Sequence, residues 1–308
     1  MTRHQGTAVV TGAAGGLGRV LVARLERAGY DVVGVDIVGT ERLLDVTDPR
    51  ACRALAEELR ALGVRADCFQ ADLTSPVEAK RLVEASVNFL GGLDILVNNA
   101  GVLGAGDGAT QPDELIEQVV RVNLLGVIHG TRAAVASMRE HGGGHVVSIA
   151  SLASWVPVPG ETVYAATKAA VLSFTLGLQA ELEAAGERDV RLTAVCPDGM
   201  LTPMLTDVLD DDALALSFSA PRLVAPETVA DRVVSVLERP RLVVSVPRWR
   251  GAQVRAMAGV PDLMLRAAPL FTRIGLRNLA KARAQASTAA RSTTATSSSA
   301  TSSARPSA

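Results

Sequence analysis

The chain has 308 residues, of which 48 % are hydrophobic, and a formal net charge of −1 at pH 7. This length and composition suffice for the buried core of one large α/β domain and exclude a protein that is disordered throughout. The charge is unevenly placed, since residues 1–240 carry 20 basic and 31 acidic side chains and residues 241–308 carry 11 basic and one acidic. The acidic body disfavours nucleic acid as a partner.

Apolar, β-branched runs alternate with segments of helical period along most of the chain. The predicted strands cover residues 8–11, 32–36, 68–70, 95–98, 145–149, 191–195 and 242–246. The predicted helices cover residues 17–28, 50–61, 76–90, 113–140, 161–185 and 227–238. This alternation predicts an α/β fold with a Rossmann-type, doubly wound, seven-stranded parallel sheet and helices on both faces.

The three cysteines, Cys52, Cys68 and Cys196, are widely separated and lie in no CxxC or His-rich segment. They favour buried thiols in a reducing compartment over a disulfide framework or a metal site. An apolar strand begins by residue 7, too early for a signal-peptide core, and no apolar run reaches the ~18 residues of a membrane span. We therefore expect a cytoplasmic protein without a bound metal.

A glycine-rich turn links the first predicted strand to the first predicted helix. Glycines at this place let the backbone approach a pyrophosphate, whose charge is favoured at a helix N-terminus. A glycine-rich segment alone is weak evidence, but its position between a strand and a helix makes the signal strong. We expect dinucleotide contacts from Gly12, Gly15, Gly16, Leu17 and Gly18.

Asp36 ends the second predicted strand, 18 residues beyond Gly18. A carboxylate there can accept both hydroxyls of an adenosine ribose and would repel a 2′-phosphate. No Arg or Lys lies in the glycine turn or directly after Asp36 to bind that phosphate, so NAD is favoured over NADP. Further contacts are expected at the carboxyl ends of the third and fourth strands, where open α/β sheets bind ligands: Asp72, Leu73, Asn99, Ala100 and Gly101.

The chain has only two tyrosines and three lysines, and Tyr164 and Lys168 stand four residues apart in a segment of helical pattern. Residues at this spacing share one helix face. A Lys ammonium is a compact charge that fits beside a phenol and a sugar hydroxyl, where a planar guanidinium would not. The pair indicates chemistry, with an ordinary solvated surface pair as the alternative.

Together these motifs resemble the short-chain dehydrogenase/reductase family over residues 6 to about 246: TGxxxGxG at 11–18, NNAG at 98–101, Asn123, Ser151, and YxxxK at 164–168. The resemblance implies that Tyr164 is the general acid/base and that Lys168 lowers the pKa of Tyr164 and holds the nicotinamide ribose. Ser151 would polarise the substrate oxygen. Asn123 would hold a water that links Lys168 to solvent. Ser154 is a competitor of Ser151, but its spacing to Tyr164 does not match the family.

One segment departs from the family, whose members usually carry Pro-Gly where this chain has Pro197 and Asp198. Pro197 and Thr202 keep the family's separation, so both are expected near the nicotinamide, with Thr202 at its carboxamide. The presence of Asp198 instead of that glycine leaves two features unpredicted: the path of the loop, and the face of the nicotinamide ring that points towards the substrate.

Apolar side chains border the expected substrate position: Leu103, Leu152, Trp155, Val156, Pro157, Leu201, Met204 and Leu205. A pocket without a paired Arg or Lys suits neither carboxylates nor phosphates. We infer a lipophilic secondary alcohol or ketone, such as a steroid, retinoid, terpene or long-chain alcohol, although these side chains could also simply close the core. The expected substrate contacts are Ser151, Trp155, Tyr164, Leu201 and Met204.

Three regions follow from these patterns: an NAD-binding domain at 1–248, a basic amphipathic helical extension at 249–285 broken by Pro261 and Pro269, and a disordered Ser/Thr/Ala tail at 286–308. The extension has three interpretations: a lid over the substrate pocket or a subunit contact, a peripheral contact with anionic membrane, or a solvated appendage. The resemblance implies a homodimer or homotetramer.

Other functions remain open at this point. A regulatory protein that senses NAD(H) without turnover could dispense with the Ser-Tyr-Lys set, which this chain keeps whole. A peripheral membrane-associated dehydrogenase of retinoid or steroid type is a second alternative. A sugar-nucleotide epimerase or dehydratase normally carries TGxxGxxG, which the glycine spacing opposes.

Overall fold

The computed structural model describes residues 5–36, 57, 68–206 and 208–300. Its centre is a seven-stranded sheet with the order β3-β2-β1-β4-β5-β6-β7, in which all neighbours are parallel. The strands are β1 (Gly6–Thr11), β2 (Tyr30–Asp36), β3 (Cys68–Gln70), β4 (Ile95–Asn98), β5 (Gly144–Ile149), β6 (Val190–Pro197) and β7 (Val243–Val246). The predicted Rossmann-type sheet of seven strands is confirmed.

The helices are α1 (Gly16–Arg27), α2 (Pro76–Leu90), α3 (Asp113–Val120), α4 (Gly126–Glu140), α5 (Thr162–Ala184), α6 (Pro203–Thr206), α7 (Pro226–Glu238), α8 (Arg248–Ala258) and α9 (Pro261–Ala300). Short 3₁₀ segments cover Leu152–Ser154 and Asp212–Phe218. The helix predicted over 50–61 lies outside the described residues, apart from residue 57, which is helical.

The helix predicted over 113–140 is divided into three parts. A π-helical turn, Arg121–Leu125, joins α3 to α4. Such a turn adds one residue to the helix and is common at functional sites. Because the chain remains helical from α3 through the π-helical turn into α4, the sequence pattern alone does not show where one ends and the next begins.

Two apolar clusters cover opposite faces of the sheet. Along β1, Ala8 and Val10 join the cluster that includes α1 and α7, whereas Val9 joins the cluster that includes α2 and α4. Successive strand side chains point to opposite faces, and both faces here are buried. The β-branched runs therefore fit a sheet covered by helices on both sides, which leaves the carboxyl ends of the strands as the open edge.

The C-terminal extension packs on the domain through α9. Leu279 is fully buried against Leu214 and Phe218 of the 3₁₀ segment Asp212–Phe218. Asn278 donates to the Phe218 carbonyl at 2.9 Å, and Arg283 donates to the Leu209 carbonyl at 2.6 Å. These contacts contradict the interpretation of the extension as a solvated appendage.

Helix α9 differs from the prediction in two respects. Pro261 separates α8 from α9, as expected, but Pro269 lies inside α9 without ending it. The helix also continues to Ala300, through part of the segment 286–308 for which composition predicts disorder. Alanine has the highest helix propensity, and extending an existing helix needs no new nucleation. The boundaries at 248 and 285 stay predictions. Within the part of the chain described, no helix is both long and apolar enough to cross a bilayer.

Candidate active site

The glycine turn lies in contact with the NNAG segment after β4. Gly12 has φ +65°, and a Cβ atom there would lie 2.8 Å from the Ala100 Cα atom. A Cβ atom at Gly18 would overlap the carbonyl oxygen of Gly12. Side chains are thus excluded at both positions, which leaves backbone amides free to approach a phosphate at the start of α1.

Hydrogen bonds fix these two segments to each other. The Thr11 Oγ1 atom accepts from the backbone amides of Asn99 and Ala100, each at 3.0 Å. The Asn99 side chain donates to the carbonyls of Thr11 and Gly12 at 2.9 and 3.1 Å. The Asn99 side chain therefore holds the glycine turn in place. This role requires no contact between its amide group and a cofactor.

The remaining residues of the turn are placed as follows. The amide of Gly15 donates to the Gly12 carbonyl at 3.2 Å, and a Cβ atom at Gly16 would lie 2.7 Å from the Pro203 ring. The Leu17 side chain is buried in the apolar core, so only its backbone faces the expected dinucleotide. Because Thr202 also lies against Gly16, the turn and the loop after β6 border the same space.

Asp36 closes one end of this space. Its Oδ2 atom accepts from the Ala14 amide at 2.5 Å, which holds the carboxylate against the glycine turn. Next to it is a small cavity bordered by Gly12, Leu73 and Ala100. Its position at the ends of β1, β2 and β4 suits the adenosine half of a dinucleotide. The residue after Asp36 lies outside the described residues.

The structure places Asp72 and Leu73, both expected at the dinucleotide, in different surroundings. The Asp72 carboxylate accepts from the Thr74 amide at 2.8 Å and is exposed, whereas Leu73 is buried and lines the cavity. The π-helical turn and α4 also contribute to the wall, through residues that the sequence analysis does not single out: Val122, Gly126 and Val127.

Lys168 is buried next to Tyr164. It is 4 % exposed, its Nζ atom donates to the Ile149 carbonyl at 3.0 Å, and the same atom lies 5.6 Å from the centre of the Tyr164 ring. Burial lowers the pKa of Lys168 to about 8. The side chain is therefore mostly an ammonium at neutral pH, so it can stabilise a phenolate.

Tyr164 lies at the start of α5, near Ser151 at the end of β5. Burial raises the pKa of the Tyr164 phenol above its usual range, the charge of Glu161 raises it further, and a hydrogen bond with Ser151 opposes the rise. The Ser151 hydroxyl also accepts from the Ala153 amide at 3.1 Å. Burial and the charge of Glu161 thus disfavour the phenolate, whereas the positive charges of Lys168 and of a bound oxidised nicotinamide would favour it.

Ser154 has a structural role in this arrangement. Its hydroxyl donates to the Lys168 carbonyl at 2.8 Å and accepts from the Ser151 amide at 3.3 Å. It therefore joins the end of β5 to α5. This placement agrees with the choice of Ser151 over Ser154 as the serine that contacts the substrate.

Asn123 is fully buried in the π-helical turn. Its side chain forms a pair of hydrogen bonds with the backbone of Val102, at 2.8 and 2.9 Å. Gly101 lies between the Asn123 side chain and the Lys168 ammonium, since a Cβ atom on this glycine would be 3.2 Å from one and 3.5 Å from the other. The structure thus brings Asn123 close to Lys168, as the resemblance implies.

A cleft of about 170 Å³ opens beside Ser151 and Tyr164. Its walls include most of the apolar side chains predicted to border the substrate, together with both residues expected at the nicotinamide: Leu103, Leu152, Val156, Pro157, Pro197, Thr202, Met204 and Leu205. The predicted catalytic residues Ser151 and Tyr164 therefore face a mostly apolar space.

Two of the predicted substrate contacts lie elsewhere. Trp155 packs with the cluster that contains Cys196, and the Arg255 guanidinium lies 5.6 Å from its ring centre. The short 3₁₀ segment that ends at Ser154 directs this side chain towards α8. Leu201 is 60 % exposed. Neither residue lines the cleft within the described part of the chain.

The extension contributes a large part of the wall, through residues that the sequence analysis did not assign to the site: Arg250, Val254, Met257, Met264, Leu265, Ala268 and Phe271. Only the amphipathic pattern of this segment signalled that one of its faces would be covered. The expectation of a pocket without a paired Arg or Lys is wrong, because Arg250 reaches the cleft.

Arg250 pairs with Asp198, the residue at the usual glycine position. The Arg250 Nε atom lies 3.1 Å from Asp198 Oδ2, and the two side chains are only 11 % and 13 % exposed. Arg250 also donates to the Ser219 hydroxyl at 2.8 Å. The departure after β6 is thus matched by a cation from the extension, and this pair joins α8 to the loop.

Comparison with known proteins agrees with this geometry. The family described as short chain dehydrogenase matches residues 6–213. A 1-deoxy-11-beta-hydroxypentalenate dehydrogenase of Streptomyces exfoliatus is 38 % identical over 201 residues, 64 % of this chain and 68 % of that protein. An uncharacterized NAD-dependent oxidoreductase of Mycobacterium tuberculosis is 37 % identical over 206 residues, 66 % and 74 % of the two chains. A variant of actinorhodin polyketide ketoreductase solved with NADPH superposes with a TM-score of 0.68 at 31 % identity, covering 78 % of this chain and 95 % of that one.

The fold and the site define an oxidoreductase that acts on CH–OH groups with a nicotinamide dinucleotide. Its sheet, glycine turn and Ser-Tyr-Lys set stand in the arrangement and order of that class. The chain belongs to the short-chain dehydrogenase family.

Proposed function

We propose that the enzyme interconverts a lipophilic secondary alcohol and its ketone, with NAD(H) as the preferred coenzyme and Tyr164 as the general acid/base. The observation that carries the proposal is the position of Ser151 and Tyr164 in the wall of a mostly apolar cleft, with the buried Lys168 ammonium behind the phenol. Apolar walls with a few convergent polar groups favour a lipophilic ligand oriented by its reacting oxygen.

In oxidation, the substrate hydroxyl lies between Ser151 and Tyr164, and Tyr164 takes its proton. Bound nicotinamide supplies the hydride acceptor in oxidation and the hydride donor in reduction. Lys168 stabilises the phenolate electrostatically and is placed to hold ribose hydroxyls. The proton then leaves the site on the side of Asn123, which is buried next to Lys168 and is held by the backbone of Val102.

NAD is favoured over NADP because the Asp36 carboxylate is held at the glycine turn by the Ala14 amide. A negative charge in this position accepts ribose hydroxyls and repels a 2′-phosphate. The M. tuberculosis relative is named as NAD-dependent, while the polyketide ketoreductase was solved with NADPH, so this choice needs a direct measurement.

The extension acts as a lid of the cleft in this proposal. Met257, Met264 and Phe271 supply apolar wall to the same cleft as Ser151 and Tyr164, which favours long or polycyclic substrates over short polar ones. Leu265 both lines the cleft and is 57 % exposed at its mouth.

A peripheral membrane contact is a second part of the proposal. Leu263 and Leu270 are 64 % and 59 % exposed on α9, in a segment that is rich in arginine. Exposed leucines among basic residues favour the surface of an anionic bilayer. A lipophilic substrate dissolved in the bilayer would then enter next to Leu265.

The proposal is tested by reduction of NAD⁺ across a series of lipophilic secondary alcohols. We expect wild-type turnover of several of them and at least a hundredfold loss in Tyr164→Phe. Full activity in the Phe variant would refute the assignment of the acid/base. Binding of NADH without turnover of any alcohol or ketone would instead favour the regulatory alternative.

A further inference from the structure

Glu161 is a buried carboxyl group in the cleft that the proposed reaction does not use. It directly precedes α5, three residues before Tyr164, lines the cleft and is 3 % exposed. Glutamate is almost never fully buried unless it is paired. Its position next to the acid/base therefore calls for an explanation.

The hydrogen bonds of this carboxyl group are incomplete. The Ser217 hydroxyl donates to its Oε1 atom. The Oε2 atom has neither a hydrogen bond nor an ion pair with any residue that the structure describes, and the side chain does not cap α5, although Glu161 occupies the N-cap position. Burying a charged group without a full set of partners is costly.

Arg250, the cation that reaches the cleft, is not a partner of this carboxyl group. The Arg250 guanidinium is engaged by Asp198 and Ser219, and the Ser217 hydroxyl is already used by Glu161. Much of the remaining wall is apolar. A hydrogen-bond donor on a substrate would thus find the open Glu161 oxygen as a ready acceptor, separate from the catalytic hydroxyls.

We propose that Glu161 is a second substrate-binding residue, which accepts a hydrogen bond from a hydroxyl or ammonium group next to the reacting carbon. The preferred substrates are then lipophilic vicinal diols, hydroxyketones or amino alcohols, and simple monoalcohols are poorer. Glu161 and Tyr164 line the same cleft and stand three residues apart in the chain, so a single small substrate can contact both. This inference rests on the proposed function and specifies its substrate class.

Such a donor would also assist catalysis. The charge of Glu161 raises the pKa of Tyr164 and so opposes the phenolate that oxidation requires. When a substrate donor binds Glu161, the hydrogen bond offsets part of the negative charge that acts on the Tyr164 phenol. The substrate with the second donor should therefore gain in kcat as well as in KM, an effect that a merely structural glutamate would not produce.

The test compares 2-octanol with 2,3-octanediol, and adds 3-amino-2-octanol to distinguish a neutral donor from a cationic one. We expect the wild-type kcat/KM to favour one of the two bifunctional substrates over 2-octanol by about tenfold or more, as for a hydrogen bond to a charged group. In Glu161→Leu this ratio should fall to about one. Glu140→Gln, an exposed carboxylate at the end of α4, is the control and should keep the wild-type ratio.

Equal ratios in the wild type and Glu161→Leu would overturn the inference while leaving the proposed function intact. If the Leu variant does not fold, Glu161→Met, which is close to Glu in length and also lacks a strong acceptor, replaces it, and an unchanged ratio there is equally decisive. Failure of the wild type to oxidise any of the three compounds with NAD⁺ would count against the proposed function itself, and the inference would fall with it.

Discussion

The guanidinium of Arg250 lies 3.1 Å from the carboxylate of Asp198, so the helix after the last strand is fixed to the loop expected at the nicotinamide. Asp198 alone would be a nearly buried charge beside the cofactor site. Arg250 alone would be a cation in a mostly apolar cleft. As a pair they attach α8 to the loop after β6.

The first prediction concerns this pair. Arg250→Met should destabilise the protein by about 3 kcal/mol, because it leaves the Asp198 carboxylate buried without its partner. The double variant Asp198→Asn/Arg250→Met should lose less than the sum of the two single variants. Urea unfolding measures both quantities, and additive losses would show that the two side chains do not stabilise each other.

The second prediction concerns Tyr164 and Lys168. Lys168→Met removes the positive charge beside the phenol and therefore raises the pKa of Tyr164. Since oxidation uses the phenolate, the rise of kcat/KM with pH should move to higher pH and the rate at pH 7 should fall about a hundredfold. Lys80→Met, on the surface of α2, and Tyr30→Phe, the other tyrosine, are matched controls that should behave as the wild type. An unshifted profile in Lys168→Met would contradict the tuning role.

The third prediction concerns stability and the Glu161 carboxyl group, whose pKa burial raises from 4.5 to about 6. Because the folded state binds the proton more tightly, this group's contribution is present below pH 4.5 and is lost as pH rises through 6. The stability of Glu161→Gln relative to wild type should thus increase by about 2 kcal/mol between pH 4.5 and 7.5. Denaturant titrations at both pH values measure the change. No change would mean that the carboxyl group is better solvated than its burial implies.

The fourth prediction concerns coenzyme choice. Asp36→Asn removes the negative charge at the glycine turn, so NADPH should bind at least tenfold more tightly than to the wild type, and NADH more weakly. Fluorescence titration with both coenzymes gives the ratio. Glu84→Gln, an exposed carboxylate on α2, controls for the change in net charge. A wild type that already prefers NADPH would overturn the assignment to NAD.

The fifth prediction concerns the exposed leucines of α9. Replacing Leu263, Leu265 and Leu270 together with serine should reduce sedimentation with anionic vesicles severalfold, because apolar burial drives interfacial binding. Neutral vesicles give the electrostatic control. If the wild type stays in the supernatant with anionic vesicles, the membrane contact is excluded under those conditions.

Much of the fold could be predicted because its signals are local. Strand β4 is buried along its whole length, so the run 95–97 is apolar throughout and is recognisable without its neighbours. The glycine turn is equally recognisable, because it stands between one strand and one helix and Gly18 packs directly on Gly12. Tyr164 and Lys168 stand out because their spacing is that of a single helix face.

The unpredicted part of the site depends on contacts between distant segments. Glu161 reads in sequence as an ordinary polar residue at the start of the helix predicted over 161–185, and its burial becomes evident only when Ser217, 56 residues away, packs on it. Arg250 enters the cleft from α8, and Phe271 enters it from α9, which packs on the 3₁₀ segment 212–218. An amphipathic pattern indicates that a helix has a covered face, but it does not say which surface covers it.

The π-helical turn that contains Asn123 cannot be replaced by regular α-helix without moving residues of the site. In an α-helix each residue advances by about 100°, so the extra residue of the turn sets the angular offset between α3 and α4. Deleting one residue from 121–125 would restore ordinary helical winding yet rotate one of these helices relative to the other. Either Asn123 would swing away from Val102, or the Leu73 side of the adenosine cavity would lose its wall. Removing this turn to gain thermal tolerance would thus cost either the position of Asn123 or one wall of the cavity beside Asp36.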